Sequence, residues 1–243
     1  MTRTPTRAAR RPRSGRHRLR GWIGALVIIA VLLVAVDFAA KAVAENVIAQ
    51  KIKQQGLQHK PSVTIDGFPF LTQAASKDFR QVDLRDRDQT EGPVTITTIS
   101  ATARNIKVNS FSFSSGTIGS LSGSALISFA SLGDTLTKEV GPLGSLLHGA
   151  GLRLSAAGPH EVRASVNVLV VSGTATWRVS LLSGDRLRIR LVGSTGLNRS
   201  LLGAIQDITL QIPKLPLGLH IDSVRVTPSG VVGRVRARNV PFG

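Results

Sequence analysis

The chain encodes an α+β fold: a helix near the N-terminus, then a long curved antiparallel sheet wrapped around it. Three observations predict this. Between Asp37 and Gln55 apolar residues recur at helical spacing. From Val63 onward, short runs alternate apolar and polar residues, with Gly, Pro, Ser and Asp between them. The composition is 42% hydrophobic but 4% aromatic, with no Tyr, and it is rich in the Val, Leu, Ile, Thr and Ser that suit a sheet with turns. At 243 residues, a single domain over 37–243 behind two short N-terminal segments is the expected layout, long enough to bury a core.

Residues 1–20 carry Arg3, Arg7, Arg10, Arg11, Arg13, Arg16, Arg18 and Arg20 and no acid, a self-repelling, disordered block. Gly21 to Val36 then run for 16 residues without a charge, between the length of a signal-peptide core and that of a full membrane span. The flanking arginines hold the N-terminus in the cytoplasm, so the rest is exported and sits at the plasma membrane or free of it. Ala40-Lys41-Ala42 and Ala42-Val43-Ala44 both fit a cleavage pattern, while the helical period runs through both, so anchor and signal peptide stay open. The apolar run accounts for the arginine block better than DNA binding does. Without those eight arginines, 23 basic residues still face 14 acidic ones, and the body favours an anionic surface.

After the apolar run, Ala40, Val43, Ala44, Val47, Ile48 and Ile52 form one helical stripe, with Gly56 as the stop signal. The stripe suits packing on a sheet, or contact with a bound apolar ligand. Val63 to Ile65 read as a strand ending at Asp66-Gly67, a reversal signal. Phe68 and Phe70 flank Pro69, which fixes its own φ and pushes Phe68 into an extended conformation. These rings are core plugs or the lining of an apolar cavity. Thr72 is placed to cap a helical turn at Gln73-Ala74-Ala75.

Strands are then expected at Phe79 to Asp88 and Val94 to Val108, paired antiparallel about Pro93. A Ser- and Gly-rich loop with Phe111 and Phe113 leads into a strand ending near Phe129. Leu132 to Leu147 mix helix and turn signals around Gly141-Pro142. Further strands read as Leu152 to Ala156, Glu161 to Val171, Thr174 to Leu182, Arg186 to Val192 and Ile208 to Ile212, with a short helix at Arg199 to Ile205. A hairpin about Pro228-Ser229-Gly230 closes the chain.

Two strands alternate strictly: Arg186-Leu187-Arg188-Ile189-Arg190 and Arg234-Val235-Arg236-Ala237-Arg238. Alternation puts all the arginines of a strand on one face. That face is either solvated or set against anionic lipid headgroups.

Catalytic and metal constellations are weak. The five His are scattered, and there is no Cys to supply thiolate ligands or disulfides. Asp83, Asp86, Asp88 and Glu91 interleave with Arg85 and Arg87 and lack the Gly turn of a calcium loop. No phosphate loop or dinucleotide fingerprint is present, and nucleic acid is disfavoured by the lack of interleaved aromatics. No catalytic residue, metal or cofactor is therefore assigned.

Gly67-Phe68-Pro69-Phe70-Leu71-Thr72-Gln73, the upstream anchor and Leu215-Pro216-Leu217-Gly218-Leu219 resemble the actinobacterial LmeA-type phospholipid-binding family. The resemblance covers about Asp37 to Phe242. It implies a tubular, BPI-like lipid-binding fold in the cell envelope (periplasm). It also implies a phospholipid or phosphatidylinositol-based glycolipid as ligand, with a link to lipomannan-type glycolipid assembly. On this reading the lipid-binding candidates are Val43, Val47, Ile48, Ile52, Phe68, Phe70, Leu71, Phe111, Phe113 and Leu217. Arg186, Arg188, Arg190, Arg234, Arg236 and Arg238 are the headgroup or membrane-surface candidates. The alternatives are a scaffold for an envelope glycosyltransferase that holds no lipid, and an envelope hydrolase.

Overall fold

The computed structural model describes residues 16–54, 57–91, 94–139, 152–168, 171–183, 186–196, 207–211 and 215–243. Helix α1 (Arg16–Gln54) is one uninterrupted helix of 39 residues, roughly 58 Å at 1.5 Å per residue. The charge-free run and the amphipathic stripe are therefore one rod. By length and composition it is long and apolar enough to cross a membrane.

The body follows as β1 (Ser62–Asp66), α2 (Phe70–Ser76), β2 (Asp78–Glu91), β3 (Val94–Val108), β4 (Gly116–Ser128) and α3 (Phe129–Glu139). Then come β5 (Arg153–Gly158), β6 (Glu161–Val168), β7 (Val171–Leu182), β8 (Arg186–Thr195), β9 (Asp207–Gln211), β10 (Ile221–Thr227) and β11 (Gly230–Phe242). All strand pairings are antiparallel, as expected. The strands fall into two sheets: a six-stranded one ordered β1-β2-β3-β4-β11-β10 and a five-stranded one ordered β5-β6-β7-β8-β9. Local alternation marks strands but does not specify which ones share a sheet.

Two packed cores hold the body. The first gathers Ile65, Phe70, Phe79, Ile106, Val108, Ile118, Leu121 and Val240, with Ala40, Ala44 and Ile48 of α1 packed on it. The second joins the sheets through Val162 and Val179 on one side and Val224 and Val226 on the other. A backbone bond from Val226 N–H to the Pro159 carbonyl, 2.8 Å, reinforces that junction.

One row across the six-stranded sheet departs from alternation. Asn105 (φ 54°) and Asn239 (φ 51°) take the left-handed region on either side of Gly119. Asn tolerates this conformation better than other side chains. A Cβ on Gly119 would sit 2.9 Å from the Asn105 Cβ, so only glycine fits between them. Past this row the inward residues skip by three rather than two. Ala103 and Ile106, Leu121 and Ile118, and Ala237 and Val240 consequently line the same core.

Two local expectations are corrected. The short helix begins at Phe70, and Thr72 lies inside it, exposed, so it caps nothing. The segment after Phe129 is helical up to Glu139. The expected turn at Pro93, the stop at Gly56, the Gly141-Pro142 break and the helix at 199–205 lie outside the described residues.

Candidate functional site

The motif around Phe68 is built by three residues that reach across it. Gly67 has φ 109°, and a Cβ there would fall 2.5 Å from the Gln73 amide nitrogen. Glycine thus makes room for Gln73, which is buried and joins two strands. Its amide donates to the Asp66 carbonyl at 3.3 Å and accepts from Arg80 N–H at 3.0 Å. The Phe68–Pro69 peptide is cis. Pro69 precedes α2 without a side-chain cap of its own. The cap comes from α1 instead: the buried Asp37 carboxylate accepts Phe70 N–H at 2.9 Å and Leu71 N–H at 2.7 Å. Two orphan donors of α2 are thereby satisfied by a charge, which the helix N-terminus favours. Nearby, Glu45 of α1 accepts Ile65 N–H at 2.8 Å, fixing the same rod to β1. At the far end Lys77 takes the left-handed position (φ 56°) where a Gly would be usual, and its N–H closes on Ala74.

The rings of this motif part company. Phe70 lies in the closed core, 6.1 Å from Phe79, which in turn meets Phe113 at 5.3 Å. Phe68 points outward and stacks on Phe38 at 6.2 Å. Leu71, Phe111 and Leu217 are also exposed, Phe111 beneath the Lys77 ammonium at 5.2 Å. On α1, Ile48 packs on the core and Ile52 is half-buried, whereas Val43 and Val47 face out. Val36, Ala39, Val43 and Val47 are all exposed at three- and four-residue spacing. They form an apolar track that continues from the charge-free run along the body.

The inner face of the six-stranded sheet is packed at both ends and only half covered between them. Leu84, Ala101, Gly123 and Val235 make one cross-strand row, and Asp86, Ile99, Ala125 and Gly233 the next. All but Asp86, which is buried and accepts from the Gln89 amide at 2.7 Å, are half-buried, in contrast to the closed cores on either side. Ala101, Gly123, Ala125 and Gly233 leave little side-chain volume in the middle of these rows. Glycine inside a strand is commonly found where another group approaches the backbone closely.

The opposite face of the same strands is polar. Ser100, Thr102, Ser122, Ser124, Arg234 and Arg236, with Ala101, Gly123 and Val235 between them, line a trough of about 280 Å³, and Arg85 pairs directly across from Ser100. Arg236 reaches Asp222 at 3.9 Å; among the described residues no carboxylate pairs with Arg234 or Arg238. The β8 arginines are more committed. Arg188 binds Asp207 through two of its guanidinium nitrogens, Nε and Nη2, and Arg186 donates to the Ser183 carbonyl at 3.2 Å. The bond from Arg188 holds Asp207 below the ordinary carboxylate range, and Asp207 raises Arg188 in turn. Arg190 stands opposite Asp207 and Arg178, whose own partner is Glu161 at 2.7 Å.

Asp66 and Asp83 share the amide of Gln81, at 3.0 and 2.8 Å. Burial, then the hydrogen bond and charge of Asp83, lift Asp66 above the usual carboxylate value. Asp83 is held below it, first by the Thr102 hydroxyl at 2.5 Å. Asp37 and Phe38 had no functional reading in the sequence, and Gln73 entered only as the last residue of the motif. The one available signal was that Asp37 is the first charge after the apolar run.

A long apolar helix leading into a sheet whose apolar face stays half open is the build of a lipid-binding protein. Residues 35–236 match the LmeA-like phospholipid-binding family, and the chain belongs to it. An uncharacterized protein of Mycobacterium bovis and two from strains of Mycobacterium tuberculosis are each similar to it. Each is 22% identical over 251 residues, spanning 98% of this chain and 70% of theirs. No solved structure matches it.

Proposed function

We propose that the protein is tethered by α1 to the outer face of the plasma membrane and takes a phospholipid acyl chain onto the half-open inner face of its six-stranded sheet. The observation that carries this reading is the pair of half-buried rows, Leu84-Ala101-Gly123-Val235 and Ile99-Ala125-Gly233, between two closed cores. Burying a methylene contributes about 0.8 kcal/mol, so a 16-carbon chain gains on the order of 10 kcal/mol before ordering costs. The exposed track Val36-Ala39-Val43-Val47 offers an apolar path from the bilayer toward the body. Arg234 and Arg238, free of carboxylate partners among the described residues, are the arginines best suited to anionic headgroups. The role is one of holding or carrying, with no bond made or broken. The family connection supports a phospholipid as cargo; we extend this to a phosphatidylinositol-based glycolipid, carried in the service of lipomannan-type envelope glycolipid assembly.

Mass spectrometry of lipid retained by the purified full-length chain tests this. Near-stoichiometric phospholipid is expected in the wild type. A severalfold loss is expected in Ala125→Phe, which fills the groove floor, with the circular dichroism spectrum unchanged. Equal lipid in both proteins, or none in the wild type, removes the reading.

A further inference from the structure

We propose that Phe38, Phe68 and Leu71 form an apolar collar that inserts into the outer leaflet of the bilayer and seats the body on the membrane where α1 emerges. The inference rests on α1 crossing the membrane, as proposed above, and adds the surface by which the body meets the lipid.

The charge-free run of α1 ends at Val36, and Phe38 follows two residues later in the same unbroken helix. At 1.5 Å per residue, Phe38 lies roughly 3 Å beyond the last residue of that run. Phe68 stacks on Phe38, centroids 6.2 Å apart and planes inclined by 28°, and so stands at the same height. Both rings are 58% exposed and Leu71 is 40% exposed. These are large side chains that a body surrounded by water has no reason to cluster at its surface. Nothing lets the turn drift from that height. Asp37 holds the Phe70 and Leu71 amides, and Phe70 is locked into the core behind them. The carboxylate at the centre of the collar is thus turned inward and occupied by backbone donors. Aromatic rings are favoured at the boundary between headgroups and acyl chains, the depth at which this geometry places them.

The chain has no Cys, so a single label can be placed anywhere. Phe68→Cys and Leu71→Cys, each carrying an environment-sensitive fluorophore, are compared in the full-length chain in phospholipid nanodiscs with quenchers at known depths on the lipid. Ile29→Cys, inside the apolar run, and Ser229→Cys, at the exposed turn between β10 and β11, serve as references. Blue-shifted emission and at least twofold quenching by shallow lipid quenchers are expected at positions 68 and 71, deep quenching at 29 and none at 229. Water-like, unquenched emission at both 68 and 71 with position 29 quenched overturns the collar alone. An unquenched position 29 overturns the collar together with the membrane-spanning reading of α1. Protection at 68 that requires a second copy of the protein, without lipid quenching, also overturns it. Lipid retained in the groove is read separately and is not affected by these outcomes.

Discussion

The Asp37 carboxylate of α1 accepts the backbone N–H of Phe70, 33 positions later, at 2.9 Å, so α1 itself caps the helix that follows the Phe-Pro-Phe turn. Removing the cap leaves two amides without their partner in a buried setting. Asp37→Ala is expected to lower stability by about 1–3 kcal/mol, and Asp37→Asn by less because its amide oxygen still accepts one bond. Urea unfolding of the full chain in mild detergent checks the order. Equal stability of all three proteins contradicts it.

The two phenylalanines flanking Pro69 are expected to respond in opposite ways. Phe70→Ala opens a cavity in the first core and costs roughly 3–5 kcal/mol. Phe68→Ala removes an exposed ring and shifts unfolding in detergent by about 0.5 kcal/mol or less. Thermal denaturation separates the two.

The arginine rows differ in availability, and vesicle binding reads this out. In residues 37–243 expressed without the apolar run, Arg234→Glu with Arg238→Glu is expected to weaken flotation with anionic vesicles by about tenfold or more. The basis is about 1 kcal/mol for each basic residue near such a surface, with charge reversal adding to it. Arg188→Gln changes flotation less, because Arg188 already serves Asp207. The difference shrinks at high salt if it is electrostatic.

Asp66 and Asp83 set a pH dependence with two signs. Asp83, lowered by the Thr102 hydroxyl, contributes stability that is present above its unfolded value of 3.8 and lost as pH falls through its folded value. Asp66, raised by burial and by Asp83, works the other way: its contribution is most favourable when protonated and declines as pH rises through its raised value. Thr102→Val removes the first cause of the Asp83 shift. Its titration, followed by carboxyl carbon NMR, is expected to move up, and the stability lost relative to wild type is expected to be larger at about pH 6 than at about pH 3. A loss of equal size at both pH values argues against the Thr102 bond as the cause.

Much of the fold was legible. β1, β2, β3, β4 and the closing hairpin fall where alternation and turn residues put them, because those signals are local. The Asn105-Gly119-Asn239 row was not legible. A left-handed Asn leaves no mark in hydropathy, yet it moves Ile106 and Val108 to the face of Ala101 and Ala103. The division into two sheets was hidden for a related reason, since pairing partners lie far apart in sequence. In the motif, Phe68 and Phe70 could be singled out from the sequence but not told apart. The turn between them is held by Asp37, a residue the linear pattern gave no reason to connect to them.

The Asp37 bond also bears on proteolytic maturation. The small-residue sites at Ala42 and Ala44 lie downstream of it, within a helix that packs on β1 and α2. A peptidase cutting there would first have to peel that helix from its neighbours, and the liberated product would leave without Asp37 or Phe38. Tethered and shed forms would then differ in more than their address: only the tethered one keeps its Phe-Pro-Phe corner under the control of the leader.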